Sequence, residues 1–159
     1  MKAKKIVLCA FMTALLFALP AGAGEKKPVA LTAKDKCPVC GMFTAKYPEW
    51  ASQIIFTDGS YATFDGPKDM VKYYLAMKKY NPSKSPGDVD SVYVKDYYSL
   101  SFIEARKAYF VEGSDIYGPM GRELVPFEKE ADAKVFLKDH KGKRVLTFKE
   151  ITPETVKVP

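Results

Sequence analysis

Ligand-bearing residues are scarce in this 159-residue chain, which has one histidine and three cysteines. A closed structural zinc site takes four protein ligands, commonly from two cysteine pairs, and no second pair exists to complete one. Charge of a single sign is lacking too. The 25 Lys and Arg stand against 19 Asp and Glu, with both signs spread through the two halves. A formal charge of +6 distributed in that way describes a solvated lysine-rich surface and gives no case for nucleic-acid or membrane-surface binding. Long apolar runs are missing beyond the first 20 residues, so no second candidate membrane span follows.

The opening segment does carry a signal. Lys2, Lys4 and Lys5 form a basic region, Ile6 to Leu19 is almost wholly apolar, and Ala21-Gly22-Ala23 is a small-x-small cleavage site. Residues 1–23 therefore read as a secretory signal peptide, with the mature chain beginning near Gly24. Cleavage removes Cys9 and lowers the formal charge from +6 to +3 through loss of three lysines. Cys37 and Cys40 are then the only thiols, in an oxidising compartment. Residues 24–159 suffice for one compact domain and are short for two.

Glu25 to Asp35 is polar without an apolar period and reads as a flexible lead-in. Ala51 to Phe56 and Tyr61 to Phe64 flank Asp58-Gly59, a strong hairpin signal. Asp65 as cap and Pro67 as first residue open a helix through Tyr80, which Asn81-Pro82 ends before a strand from Ser91 to Lys95. A similar order follows. Strands at 107–112 and 123–127 enclose the turn-rich Gly113 to Gly121, and then come a helix over 129–140, Gly142 as left-handed cap, and a strand over 144–148. The expected fold is α+β: two strand-strand-helix-strand units, about residues 50–95 and 107–148, packed as one compact domain with the helices covering the sheets.

Two places carry chemistry. In Cys37-Pro38-Val39-Cys40-Gly41-Met42, three sulfur donors fall within six residues, and Gly41 permits a tight backbone turn beneath them. Clustered thiolate and thioether suit a soft ion such as Cu(I) and also accommodate Zn(II). Metal binding, a disulfide or redox dithiol, and a structural knuckle all fit the pair by itself. Metal binding is preferred, because a thioredoxin-type dithiol follows a strand and opens a helix, whereas Cys37 follows a polar tail. The second place is Tyr117-Gly118-Pro119-Met120-Gly121, where a methionine stands in a turn, open either to ligation or to packing. Met42 has the same two roles open to it. Met70 and Met77, seven apart on the first helix, read as core filler. His140 extends the helical stripe Ala133, Phe136, Leu137; it reads either as a metal ligand or as a half-buried residue at the helix C-terminus.

At these positions the chain resembles the NosL family of nitrous oxide reductase accessory proteins. The matching pieces are Asp35 to Met42, Ala105 to Val111 with Gly113-Ser114, Tyr117 to Gly121, and Ala133 to Phe148 around His140 and Gly142, in the family's order. The resemblance implies a non-enzymatic, cell-envelope Cu(I) chaperone that supplies nitrous oxide reductase beside an ABC-type maturation complex. It also implies two strand-strand-helix-strand units like those of organomercurial lyase, and a metal-ligand pool of Cys37, Cys40, Met42, Met120 and His140. Many family members are lipoproteins. No small residue precedes Cys9 in a lipobox, so a soluble periplasmic form is expected. Lys141-Gly142 stands where the family often has Gly-Gly. The competing reading is an envelope thiol-disulfide redox or zinc-binding protein that uses Cys37 and Cys40.

Overall fold

The computed structural model describes residues 25–157, so the signal peptide read from the sequence, with Cys9, lies outside the described residues. β1 (Ser52–Phe56) and β2 (Tyr61–Phe64) form the expected hairpin. Asp58 Oδ1 accepts from Ser60 N at 3.0 Å, so the aspartate tightens the turn as Asx side chains do. α1 (Pro67–Leu75) and α2 (Met77–Tyr80) follow, then β3 (Val89–Lys95) and β4 (Phe102–Glu104). The second half supplies β5 (Tyr109–Glu112), the two-residue pair β6 (Tyr117–Gly118) and β7 (Gly121–Arg122), β8 (Val125–Phe127), α3 (Glu130–Asp139) and β9 (Arg144–Thr147).

Both larger sheets are antiparallel, with strand orders β2-β1-β3-β4 and β8-β5-β9. In each, the first strand of the unit is internal, flanked by its hairpin partner and by the strand that follows the helix. The element order read twice from the sequence is thus a repeated topology. β4 is an addition at the edge of the first sheet.

Alternation along β5 explains how one strand serves two cores. Phe110 turns toward the large cluster with Ile54, Phe56, Phe64, Met70 and Phe148, and its neighbour Val111 turns toward a smaller one with Val125, Phe127, Ala133 and Phe136. Met70 and Met77, both at most 2 % exposed, are core residues as their spacing indicates.

Four local expectations need correction. A single helix through Tyr80 is interrupted at Ala76, whose φ of −123° leaves the helical region although no glycine or proline marks the break. The N-cap of α1 is Gly66 rather than Asp65, and Lys68 N donates at 2.6 Å to Glu123, from the other half of the chain. At the end of α3 it is Lys141, with φ of 53°, that adopts the left-handed conformation, while Gly142 N donates back to Leu137 O at 2.8 Å. Gly142 is required for space, because a Cβ there would sit 2.6 Å from Val111 Cγ1. Finally, the 25–35 segment is bound to the first sheet. Val29 N donates to Gln53 Oε1 at 2.9 Å, Gln53 Nε2 returns a bond to Val29 O at 2.8 Å, and Tyr93 Oη donates to Lys26 O at 2.8 Å.

Candidate metal centre

The cysteine pair sits on a short hairpin-like knuckle. Lys36 and Phe43 bridge antiparallel, Cys37 N donates to Met42 O at 2.8 Å, and Gly41 N donates to Cys37 O at 2.8 Å. Gly41 takes φ of +81°, a conformation that other residues adopt only with strain. Thr44 and Thr63 hydroxyls lie 3.0 Å apart and fasten the knuckle to β2.

Beneath the knuckle lies the start of α1. Asp65, just before it, and Asp69, in its first turn, are spaced to share one helical face, and both are buried. Cys40 Sγ donates to Asp65 Oδ1 at 3.2 Å, and Cys37 Sγ to Asp69 Oδ2 at 3.7 Å. Asp69 Oδ1 is held by Lys72 Nζ at 3.0 Å. One ligand atom from each of Cys37, Cys40, Asp65 and Asp69 falls within 4.8 Å of the others. Asp65 Oδ2 is buried without a hydrogen-bond partner, an expensive arrangement for a carboxylate unless something else satisfies it.

The electrostatics favour neutral thiols in the metal-free protein. Burial pushes the Cys40 thiol up to about 11, and the bond to Asp65 adds to the rise. Cys37, more deeply buried, is pushed higher still by desolvation and by the same carboxylate. Both are free thiols. A site that holds its sulfurs protonated and next to carboxylates gives up protons when a cation displaces them.

The remaining sequence candidates stand on three different elements. Met42 is half-buried, and its carbonyl closes the knuckle through Cys37 N. Met120 occupies the tip of the β6–β7 turn, where Lys68 Nζ donates to its carbonyl at 2.9 Å. His140, at the C-cap of α3, places Nδ1 3.1 Å from Asp115 Oδ1 and stacks on Phe136 with ring centroids 4.2 Å apart. Among the described residues, His140 stands outside the four-residue group. Sequence reasoning took Asp65 as a helix cap, too distant in sequence from the cysteines to judge as their acidic partner, and passed over Asp69. The available signal was the Asp-x-Pro-x-Asp pattern, two carboxylates spaced for one face where a helix opens.

The α+β scaffold gathers two thiols and two carboxylates at a helix start, a donor set that could hold a metal ion. The chain belongs to the NosL family, whose model matches residues 28–156. It is 33% identical over 145 residues to the copper-binding lipoprotein NosL of Stutzerimonas stutzeri, a match spanning 82% of this chain and 72% of that protein. Among solved structures, the copper chaperone NosL from Shewanella denitrificans is similar at 27% identity and a TM-score of 0.69, over 81% of this chain and 98% of that one. Apo-NosL from Achromobacter cycloclastes, a solution NMR structure, is also 27% identical, with a TM-score of 0.48 over 68% of this chain and 90% of its own.

Proposed function

We propose that the protein is a periplasmic Cu(I) carrier that supplies copper for maturation of nitrous oxide reductase beside an ABC-type complex, without catalysing a reaction of its own. The observation that carries the metal-binding part is the convergence of Cys37 and Cys40 on the buried carboxylates of Asp65 and Asp69, with one oxygen of Asp65 left without a hydrogen-bond partner. Thiolate sulfur selects Cu(I) over harder ions, and Met42, Met120 and His140 are proposed as further donors. Cys40 is partly exposed whereas Cys37 is buried, so the pair has an outer and an inner sulfur. That asymmetry suits a cargo site, because an incoming ligand can reach the metal from the solvent side before the inner thiolate lets go. The copper-binding and copper-chaperone names of the relatives support the cargo, and the lipoprotein nature of one supports an envelope location. Among the described residues no helix is long and apolar enough to cross a membrane.

The raised thiol pKa values speak against a redox dithiol, since disulfide exchange needs an accessible thiolate. Zinc is the second reading, because two sulfurs and two carboxylate oxygens form a donor set that zinc accepts. Anaerobic titration of the reduced protein against a chromophoric Cu(I) competitor, in parallel with Zn(II), separates the two. Saturable Cu(I) binding that outcompetes the dye is expected. Zinc binding without competition for Cu(I) would overturn the carrier reading.

A further inference from the structure

The turn that carries Met120 is not held by its own strands. β6 and β7 pair over two residues each, far too little to fix a loop in water. What fixes it comes from α1. Lys68 Nζ donates to Met120 O at 2.9 Å and to Arg122 O at 2.5 Å, gripping the turn on both sides of Gly121. In return, Glu123 Oε1 accepts from Lys68 N at 2.6 Å and from Leu124 N at 2.9 Å. The two side chains are buried, Lys68 at 6 % and Glu123 at 3 % exposure. Space around them is tight. A Cβ on Gly66 would collide with Glu123 Oε2, and one on Gly118 would lie 3.2 Å from Glu123 Cβ and Cγ.

We infer that Lys68 and Glu123 are positioning residues for the metal centre, clamping the Met120 turn onto the same stretch of helix that presents Asp65 and Asp69. This rests on the carrier reading, with Met120 as a donor. Burying an ammonium and a carboxylate is unfavourable by several kcal/mol apiece before hydrogen bonds offset it. Apolar residues of similar size would fill the same space without that penalty. Here the Lys68 ammonium is satisfied by carbonyls of the Met120 turn, and Glu123 Oε1 by the Lys68 amide together with that of its neighbour Leu124, so what the pair specifies is the placement of one element on the other. Lys68 is rooted between Asp65 and Asp69, and its ammonium reaches the carbonyl of Met120 itself. The thioether therefore hangs from a backbone fixed relative to the thiol-facing carboxylates.

The test is a double-mutant cycle in Cu(I) affinity, measured by anaerobic competition on wild-type protein, Lys68→Met, Met120→Leu and the double variant. Lys68→Met is expected to weaken Cu(I) binding roughly 10-fold, the usual scale for outer-shell partners of metal ligands. The double variant is expected to be no weaker than Met120→Leu by itself, because the clamp acts through the methionine. Glu123→Gln, which retains the accepting oxygen, should restore near-wild-type affinity where Glu123→Ala loses it. Should Lys68→Met fail to fold, Gly118→Ala, whose Cβ would press on Glu123 Cβ and Cγ at 3.2 Å, is expected to weaken binding in the same non-additive way. Wild-type affinity in Lys68→Met or Gly118→Ala beside a weakened Met120→Leu, or fully additive losses, would overturn the clamp and leave the carrier standing. A wild-type protein that does not hold Cu(I) would instead overturn the carrier reading and the clamp with it.

Discussion

Cys40 Sγ donates to Asp65 Oδ1 at 3.2 Å, while the other oxygen of the same carboxylate is buried with nothing to accept from. The aspartate thus faces a thiol with one atom and leaves the second for a ligand. It raises the thiol pKa through that contact, on top of the effect of burial. Asp65→Asn should accordingly lower the Cys40 pKa from about 11 in the metal-free protein. Thiolate absorbance followed through a pH titration measures the change, and a value unmoved or raised in the variant would show that the carboxylate is not coupled to the sulfur.

Copper affinity should rise with pH. In the free protein both thiols stay protonated through neutral pH, because their pKa values are raised, that of Cys40 to about 11. Every thiolate ligand formed below that range therefore releases a proton. The slope should approach 10-fold per pH unit for each thiol that ligates, on the order of 1.4 kcal/mol per proton. Competition titrations across the neutral range, with proton release followed in weak buffer, give the number of sulfurs engaged. A flat profile would mean that neither cysteine ligates as thiolate.

Replacing both cysteines by serine should abolish tight Cu(I) binding while the protein remains folded. Cys37 is 1 % exposed and packs in the large core, so a melting temperature lowered by a few degrees is expected, on the scale of about 1–2 kcal/mol for a buried hydroxyl in place of sulfur. Circular dichroism monitors the fold and the dye competition the metal. Unchanged copper affinity in this double variant would remove the proposed centre.

Glu123 should give stability a pH dependence of unusual sign. Burial raises its carboxyl to about 7, against the pull of Lys68 and of the backbone donors at Leu124 and Lys68, with Asp69 adding repulsion. The folded chain then binds a proton that the unfolded chain has already released. The contribution is fully present below the unfolded value near 4.5 and is lost as pH rises through about 7, roughly 3 kcal/mol in all. Denaturant melts of wild type and Glu123→Gln at matched pH should diverge over this window, with the glutamine variant gaining relative stability as pH rises. Parallel curves would mean that Glu123 is not the group responsible.

The parts of the fold governed by nearest neighbours were legible in the sequence. Asp58-Gly59 marks its hairpin, Pro67 opens its helix, Met70 and Met77 fall on a buried face, and the doubled order of elements emerges from turn signals. The cysteine knuckle was legible for the same reason, since its geometry is closed by Gly41 and by bonds within six residues. What escaped depends on partners distant in the chain. Asp65 looked like a cap because its sequence neighbours suit one, yet Glu123 caps α1 from 55 residues away and Asp65 is left to face Cys40. The 25–35 segment looked unstructured because its composition carries no period, and its bonds to Gln53 and Tyr93 compensate. Gly142 looked like a backbone requirement and proved to be a spatial one, set by Val111 on a strand packed across it.

The two repeated units differ most where their hairpins turn. The first closes β1 to β2 through residues 57–60, whereas the second spans 113–124 and folds part of that span into β6 and β7. Hairpin tips are where chains tolerate added length, since an insertion there leaves the flanking strands in register. Met120 and Glu123 both stand on this longer excursion, so the second unit could acquire them without redesign of its sheet. A copy free of such an excursion would keep the architecture and lose the grip on the partner unit. The second unit's own addition is thus concentrated in one loop, and grafting that loop between family members would exchange the Met120 turn and its grip on α1 while Cys37, Cys40, Asp65 and Asp69 stay where they are.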